Sequence, residues 1–231
     1  MQTMSNQKII PNIFTGSIIQ KNKITQHVFH LKVQSTDFSN MSCVAGAIVE
    51  VLLSNTSHYQ NSEAVQYPFW DYEPVYNIAD FAIHTFPNSK AADWINKIQE
   101  GDSIFFKESS VELIIDESGE HYFLIGDIRS LAHLYEINRT LAVSKKIYSL
   151  VYTKNQDEFF SDLDHSFPLQ SYVVKSLEPE NILELINLYF PKYLKNTIVY
   201  ILSNLEMTTR ITDFLKNNPR FDIQHIYFYN K

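Results

Sequence analysis

The chain has 231 residues, 45% of them hydrophobic and 19% charged, and a formal net charge of −7; a polypeptide of this length and mixture buries roughly 70–75% of its unfolded surface and is neither disordered nor fibrous. Only four of its nineteen Lys and Arg residues are arginine, so there is no basic footprint for a nucleic-acid backbone. The five glycines, Gly16, Gly46, Gly101, Gly119 and Gly126, stand far apart, which excludes GxGxxG, the P-loop and the GxSxG elbow.

In chain order, the opening MQTMSNQKIIPNIF lacks the long apolar core of a signal peptide, and no later stretch is apolar for long enough to span a bilayer. With Cys43 the only cysteine, neither an intramolecular disulfide nor a thiolate zinc cluster is available, and the chain reads as cytoplasmic without membrane insertion. The first half then sets short β-branched and aromatic runs between polar turns. HVFHLKV, AIVEVLL, VYNIADFAIH and DSIFFKES read as strands, several with period-two alternation. One helix interrupts them in SKAADWINKI, where Ala91, Trp94, Ile95 and Ile98 fall on one face. An antiparallel barrel or sandwich carrying one helix fits this half.

Beyond Asp116-Glu117-Ser118-Gly119 the pattern changes. HYFLIG is followed by the helical RSLAHLYEINRTLAV, then IYSLVYT, a shorter QDEFFSDL, YVVK, the helical PENILELINLYF, TIVYIL, LEMTTRITDFLKN and HIYFYN. Alternation at this spacing predicts right-handed crossovers and a parallel sheet of about five strands covered on both faces, a doubly wound α/β domain with ligands at the carboxyl ends of its strands. The expected architecture is two-domain: an antiparallel β-barrel over residues 1–116 and an α/β domain over 117–231, meeting at about residues 110–120. The cleft between them is the natural place for a ligand.

Three segments carry a resemblance. DFAIHTF with the following NSKAADWINKIQEGDSI looks like the run DFVLH, a small-residue turn with W-A, and P-G-D; HYFLIGDIRSLAHL looks like LLVGDETALPAI; the closing IYFYNK is similar to YWR in position and aromatic content. In this order they make nearly the whole chain resemble the siderophore-interacting proteins, flavin-dependent ferric-siderophore reductases of the ferredoxin reductase superfamily. The resemblance implies a ferredoxin-reductase-like FAD barrel and an NAD(P)-binding-like α/β domain. It also implies electrons passing from NADPH or NADH through FAD to a ferric siderophore or another ferric chelate.

Counting back from Asp80-Phe81, the family's flavin signature R-x-Y-T falls on Val65-Gln66-Tyr67-Pro68, so only the tyrosine is kept. The resemblance implies that Tyr67 stacks on the isoalloxazine; its other reading is an amphipathic aromatic on a barrel strand. Pro68 stands where a threonine meets the ring's polar edge. Val65 replaces the arginine that holds the pyrophosphate by a planar, two-bond fork, and residues 1–128 contain no arginine. Ala82 and His84 lie on the DFAIH strand along the implied cofactor, with His84 also readable as a structural hydrogen-bonding residue. In the turn Asn88–Ala92, Ser89, Ala91 and Ala92 would bring backbone N–H groups to a diphosphate, with Lys90 as a nearby point charge; the plain reading is a helix start capped by Ser89.

Gly126-Asp127 keeps the family's G-D, while Ile128-Arg129-Ser130-Leu131-Ala132-His133 replaces E-T-A-L-P-A. Arg129 is either a phosphate donor at a helix start or the partner of a neighbouring acid. Lys154 and Lys175, after the second and third α/β strands, are where the resemblance places contacts to the nicotinamide nucleotide. As loop lysines they are also ordinary; as nucleotide contacts they favour the 2′-phosphorylated form. Leu202-Ser203-Asn204 stands in place of A-G-E. His27 and His30, three apart on a strand, point to opposite faces, and Asp162, Asp164 and His165 read as a polar loop rather than a metal cluster. No catalytic acid or base is named, because in such chemistry the cofactor carries the hydride and electron steps. The alternative is a descendant that keeps the fold, binds flavin weakly or not at all, and acts as a binding or interaction protein.

Overall fold

A computed structural model describes residues 12–41, 43, 45–54, 62–87, 89–109, 113–141, 143–165 and 168–230. Its first sheet is built from β1 (Phe14–Thr25), β2 (Val28–Gln34), β3 (Ile48–Leu52), β4 (Ala64–Pro68), β5 (Asp71–Glu73), β6 (Ile78–His84) and β7 (Ser103–Glu108). The order is β4-β3-β7-β1-β2-β6-β5, with every pairing antiparallel. The two edge strands, β4 and β5, are joined through Phe69 and Trp70 alone, so the sheet rolls up on itself.

Period-two alternation sends Leu31 and Val33, Val49 and Val51, and Phe81 and Ile83 into one core, as the sequence pattern predicts. Helix α1 (Lys90–Lys97) closes one end: Ser89 caps it, its Oγ accepting from the Ala92 N–H at 3.1 Å, and Trp94 and Ile95 are buried. Strand β1 has no apolar alternation to announce it, because only Ile18 among its twelve residues is buried. Strand β5 is three residues long, too short for any period to show.

The second sheet contains β8 (His121–Asp127), β9 (Lys146–Thr153), β10 (Ser171–Val173), β11 (Thr197–Ser203) and β12 (Ile223–Asn230), all parallel, in the order β10-β9-β8-β11-β12. Helices α2 (Leu131–Thr140), α3 (Pro179–Tyr189) and α4 (Leu205–Asn217) make the crossovers. Residues of β8 alternate between two cores: Phe123 and Ile125 pack under α3 and α4, while Tyr122 and Leu124 pack under α2. Burial on both faces explains why these strands read as unbroken apolar runs. The strand order reverses its sense between β8 and β11, so their carboxyl ends flank the crevice where such sheets take ligands. The connection from β9 to β10 departs from the expected alternation. QDEFFSDL forms one 3₁₀ turn, Gln156–Glu158, and then runs extended, because Phe159, Phe160 and Leu163 pack against the core between the sheets.

That core is shared: Val28, Ile48, Trp70 and Ala82 from the barrel lie in one cluster with Leu131, Leu134 and Tyr135 of α2. A polar knot fastens it. The Trp70 indole N–H donates to Asp162 Oδ1 at 2.9 Å, and the Arg139 guanidinium donates both to that carboxylate and to the Trp70 carbonyl. Asp162, expected in an ordinary polar loop, is instead 3% exposed. Nearby, burial lifts the Glu136 carboxyl well above the usual carboxylate range, against the pull of the Gly46 N–H and Arg139. In the link that leads into β8, Asp116 accepts from the Tyr227 hydroxyl at 2.9 Å, while its carbonyl accepts from Tyr122 at 3.0 Å, both tyrosines belonging to the second sheet. Removing one member of a buried ion pair leaves its partner's charge uncompensated, which costs about 3–5 kcal/mol. Asp162→Ala is expected to lose about that much stability in urea unfolding; a loss below about 1 kcal/mol contradicts the role given to this knot.

Candidate functional site

Between the two sheets lies a cavity of about 500 Å³, within the range of small-molecule sites. The barrel contributes β4, the end of β6 with Phe86, and the first turn of α1; the α/β domain contributes Arg129, Ala132 and Tyr229. Strand β4 is an edge of its sheet, paired only with β3, and its other side faces this space. An edge strand leaves unpaired backbone donors and acceptors, and it also tolerates Pro68, which has no N–H to give.

Tyr67, Pro68, Ala82, His84, Ser89 and Ala91 all line this cavity with Arg129. Tyr67 is buried, packs into the barrel core, and burial pushes its phenol far above the ordinary tyrosine range. His84 stacks on Phe86, ring centroids 5.9 Å apart and planes within 7°. Ala92 does not line the cavity, and its N–H is taken by Ser89, so the donors left at the start of α1 belong to Lys90 and Ala91. Asn88, the first residue of that expected turn, lies outside the described residues.

Both cations at the cavity have carboxylate partners. Lys90 pairs with Glu63. Arg129 folds back on Asp127, whose Oδ2 accepts from Nε at 3.1 Å and Nη2 at 2.5 Å while Oδ1 accepts from the Arg129 backbone N–H at 2.9 Å. That fork raises the guanidinium pKa further and is the ion-paired reading of Arg129.

A second cavity, of about 350 Å³, adjoins the first across Phe86 and Arg129 and sits at the carboxyl ends of β8 and β9. Asp127 and Lys154 line it, with Tyr152, Thr153, Glu158 and Leu177. Lys175 lines neither cavity and is exposed. Sequence reasoning passed over Phe86, Tyr229 and Glu158. Tyr229 alone had a signal, in the aromatic ending IYFYNK; its hydroxyl donates to Gln66 Oε1 at 2.8 Å, tying β12 to β4 across the seam.

No protein-family model matches the chain, and no curated protein matches it in sequence. Solved structures match its shape. The siderophore-interacting protein SipS from Aeromonas hydrophila gives a TM-score of 0.74 at 11% identity, over 94% of this chain and 92% of that one. The chain has the fold of the siderophore-interacting proteins. A siderophore utilization protein from T. fusca follows with a TM-score of 0.67 at 12% identity, over 93% and 92% of the two chains. The same fold extends to the ferredoxin reductase superfamily: a variant of the ferredoxin-NADP+ reductase from Plasmodium falciparum gives a TM-score of 0.67 at 13% identity, over 94% and 96%.

The carboxyl end of β8, where this fold brings its strand ends together, requires Gly126. A Cβ there would lie 2.9 Å from the Leu202 carbonyl oxygen and 2.9 Å from Leu134 Cδ1, beside Ser130, whose hydroxyl donates to the same carbonyl at 2.7 Å. Gly126→Ala is expected to cost about 1–3 kcal/mol by overpacking, read as a lowered Tm. An unchanged Tm contradicts the close approach.

Proposed function

We propose that this chain is a flavin-dependent oxidoreductase of the siderophore-interacting type, acting in the cytoplasm. Residues 1–116 form its flavin-binding-like domain and residues 117–231 its nicotinamide-nucleotide-binding-like domain. Between NADH or NADPH and the ferric siderophore or similar ferric chelate, the chemistry that FAD would supply when bound is the conversion of one two-electron hydride transfer into two one-electron reductions, one for each of two ferric centres. The observation that carries this reading is a cavity lined from both domains, holding residues that the sequence picks out one by one.

The residues present suit the ring better than the diphosphate. Tyr67, Ala82, Val65 and Tyr229 give the cavity apolar and aromatic walls, and the free edge of β4 offers backbone donors and acceptors to a heterocycle's polar rim. Toward a diphosphate the chain offers the Lys90 and Ala91 N–H groups at the start of α1 and the Lys90 ammonium, already shared with Glu63. The adjoining cavity at the ends of β8 and β9 would take the nicotinamide nucleotide, beside the first, so that hydride transfer needs no large movement.

A second reading, a cofactor-free binding protein on the same fold, is favoured by one observation: both cations at the cavity are neutralised by carboxylates. FAD titration of the purified protein, followed by flavin fluorescence, separates the two. Saturable quenching is expected, and Val65→Arg is expected to tighten FAD about ten- to a hundredfold by restoring a charge-assisted fork. No change at saturating FAD in either protein overturns the flavin reading in favour of the second.

A further inference from the structure

Another cavity, of about 220 Å³, lies farther along the seam between α2 and the barrel. Positions 132, 136, 139 and 140 share one face of α2: Ala132 lines the large cavity, whereas Glu136, Arg139 and Thr140 line this one. From the barrel, Phe69, Asp71 and Tyr72 complete its walls. It shares no lining residue with the two cavities described above.

Its chemistry is set by Glu136. This side chain is 8% exposed, and the Gly46 N–H serves its carboxyl group, yet Oε2 has no hydrogen-bond partner among the described residues. His133 Nε2 stands 3.8 Å from that oxygen, beyond hydrogen-bond reach. A buried carboxyl oxygen left unpaired is costly, and it points to a donor that the protein itself does not supply.

The charges around it do not balance. Three carboxyl groups, Glu136, Asp71 and Asp162, surround one guanidinium, that of Arg139, which is committed to Asp162 and the Trp70 carbonyl and reaches Asp71 only at 3.7 Å. Cys43, also in the wall, brings no compensating charge: burial lifts its thiol to about 11, and it donates to the Phe38 carbonyl at 3.3 Å. An anion here would face Asp71 and Glu136, and an apolar molecule would leave Oε2 unpaired. A cation with N–H donors answers both demands. The rings of Phe69 and Tyr72 offer a wall for a short alkyl chain or for the cation itself. The cavity is smaller than a usual cofactor site and suits an amine of a few carbon atoms.

We propose that this cavity binds a small primary alkylammonium ion, its N–H groups held by Glu136 and Asp71 and its chain lying against Phe69 and Tyr72. The site joins the barrel to α2, so occupancy tightens the seam from outside the nucleotide cavities. Burial, with Asp71 adding to it, favours the protonated form of Glu136, whereas a bound cation favours the carboxylate. Binding therefore releases a proton and strengthens as pH rises.

The test titrates n-butylammonium into the full chain by calorimetry and follows Tm, with n-butanol and sodium at equal ionic strength as controls. Saturable binding and a raised Tm are expected for butylammonium alone, with affinity climbing towards about tenfold per pH unit while Glu136 is protonated. Glu136→Gln is expected to lose at least about tenfold in affinity and the pH dependence with it. Asp71→Asn, at an exposed position, is expected to weaken binding about two- to fivefold and keeps the test open should Glu136→Gln not fold. Absence of saturable binding, or equal binding of butanol, overturns the proposal. So does unchanged affinity in both variants, or a pH dependence that survives Glu136→Gln and so belongs to His133.

Discussion

Everything at the site depends on the two sheets meeting in one orientation, and the contact that fixes it is the Arg139–Asp162 pair with Trp70. Asp162 comes from the loop after β9, Arg139 from α2 and Trp70 from the two-residue link that closes the barrel. An ion pair buried at this depth gains little over an apolar contact of the same shape, since desolvation offsets its Coulomb energy. What it adds is direction. The apolar cluster around it would tolerate sliding, whereas a guanidinium shared by a carboxylate and a carbonyl has one geometry. The larger cavity of the site inherits its shape from that geometry, because its walls belong to different domains.

The fold was legible wherever burial is regular. β8 and β11 bury both faces and read as apolar runs; Leu31-Lys32-Val33 buries one face and alternates; Ser89 and the one-faced pattern Ala91, Trp94, Ile95 announce α1. Strand β1 escaped because its pairing, not its side chains, holds it in the sheet. QDEFFSDL has the apolar content of a short helix, but its phenylalanines are claimed by the core shared between the two domains, and no local rule can foresee that.

The site was legible in part for a similar reason. Tyr67, His84, Ser89 and Arg129 belong to strands and turns whose order can be counted, and they converge on one cavity. The state of their charges could not be counted. That Arg129 is spent on Asp127, Lys90 on Glu63, and that Glu158 folds back onto Thr153 depends on side-chain positions three-dimensional packing decides. The pattern these pairings make is consistent: where a phosphate would want an uncommitted fixed cation, the chain presents a compensated one.

The central claim is that one ligand is gripped from both sheets at once, and amide hydrogen exchange with and without FAD tests it most directly. The account predicts that FAD slows exchange together in β4, in the first turn of α1 and in the segment from Arg129 to Ala132, which line the cavity from opposite sides. Protection confined to one sheet, or absent from both at saturating FAD, would contradict it.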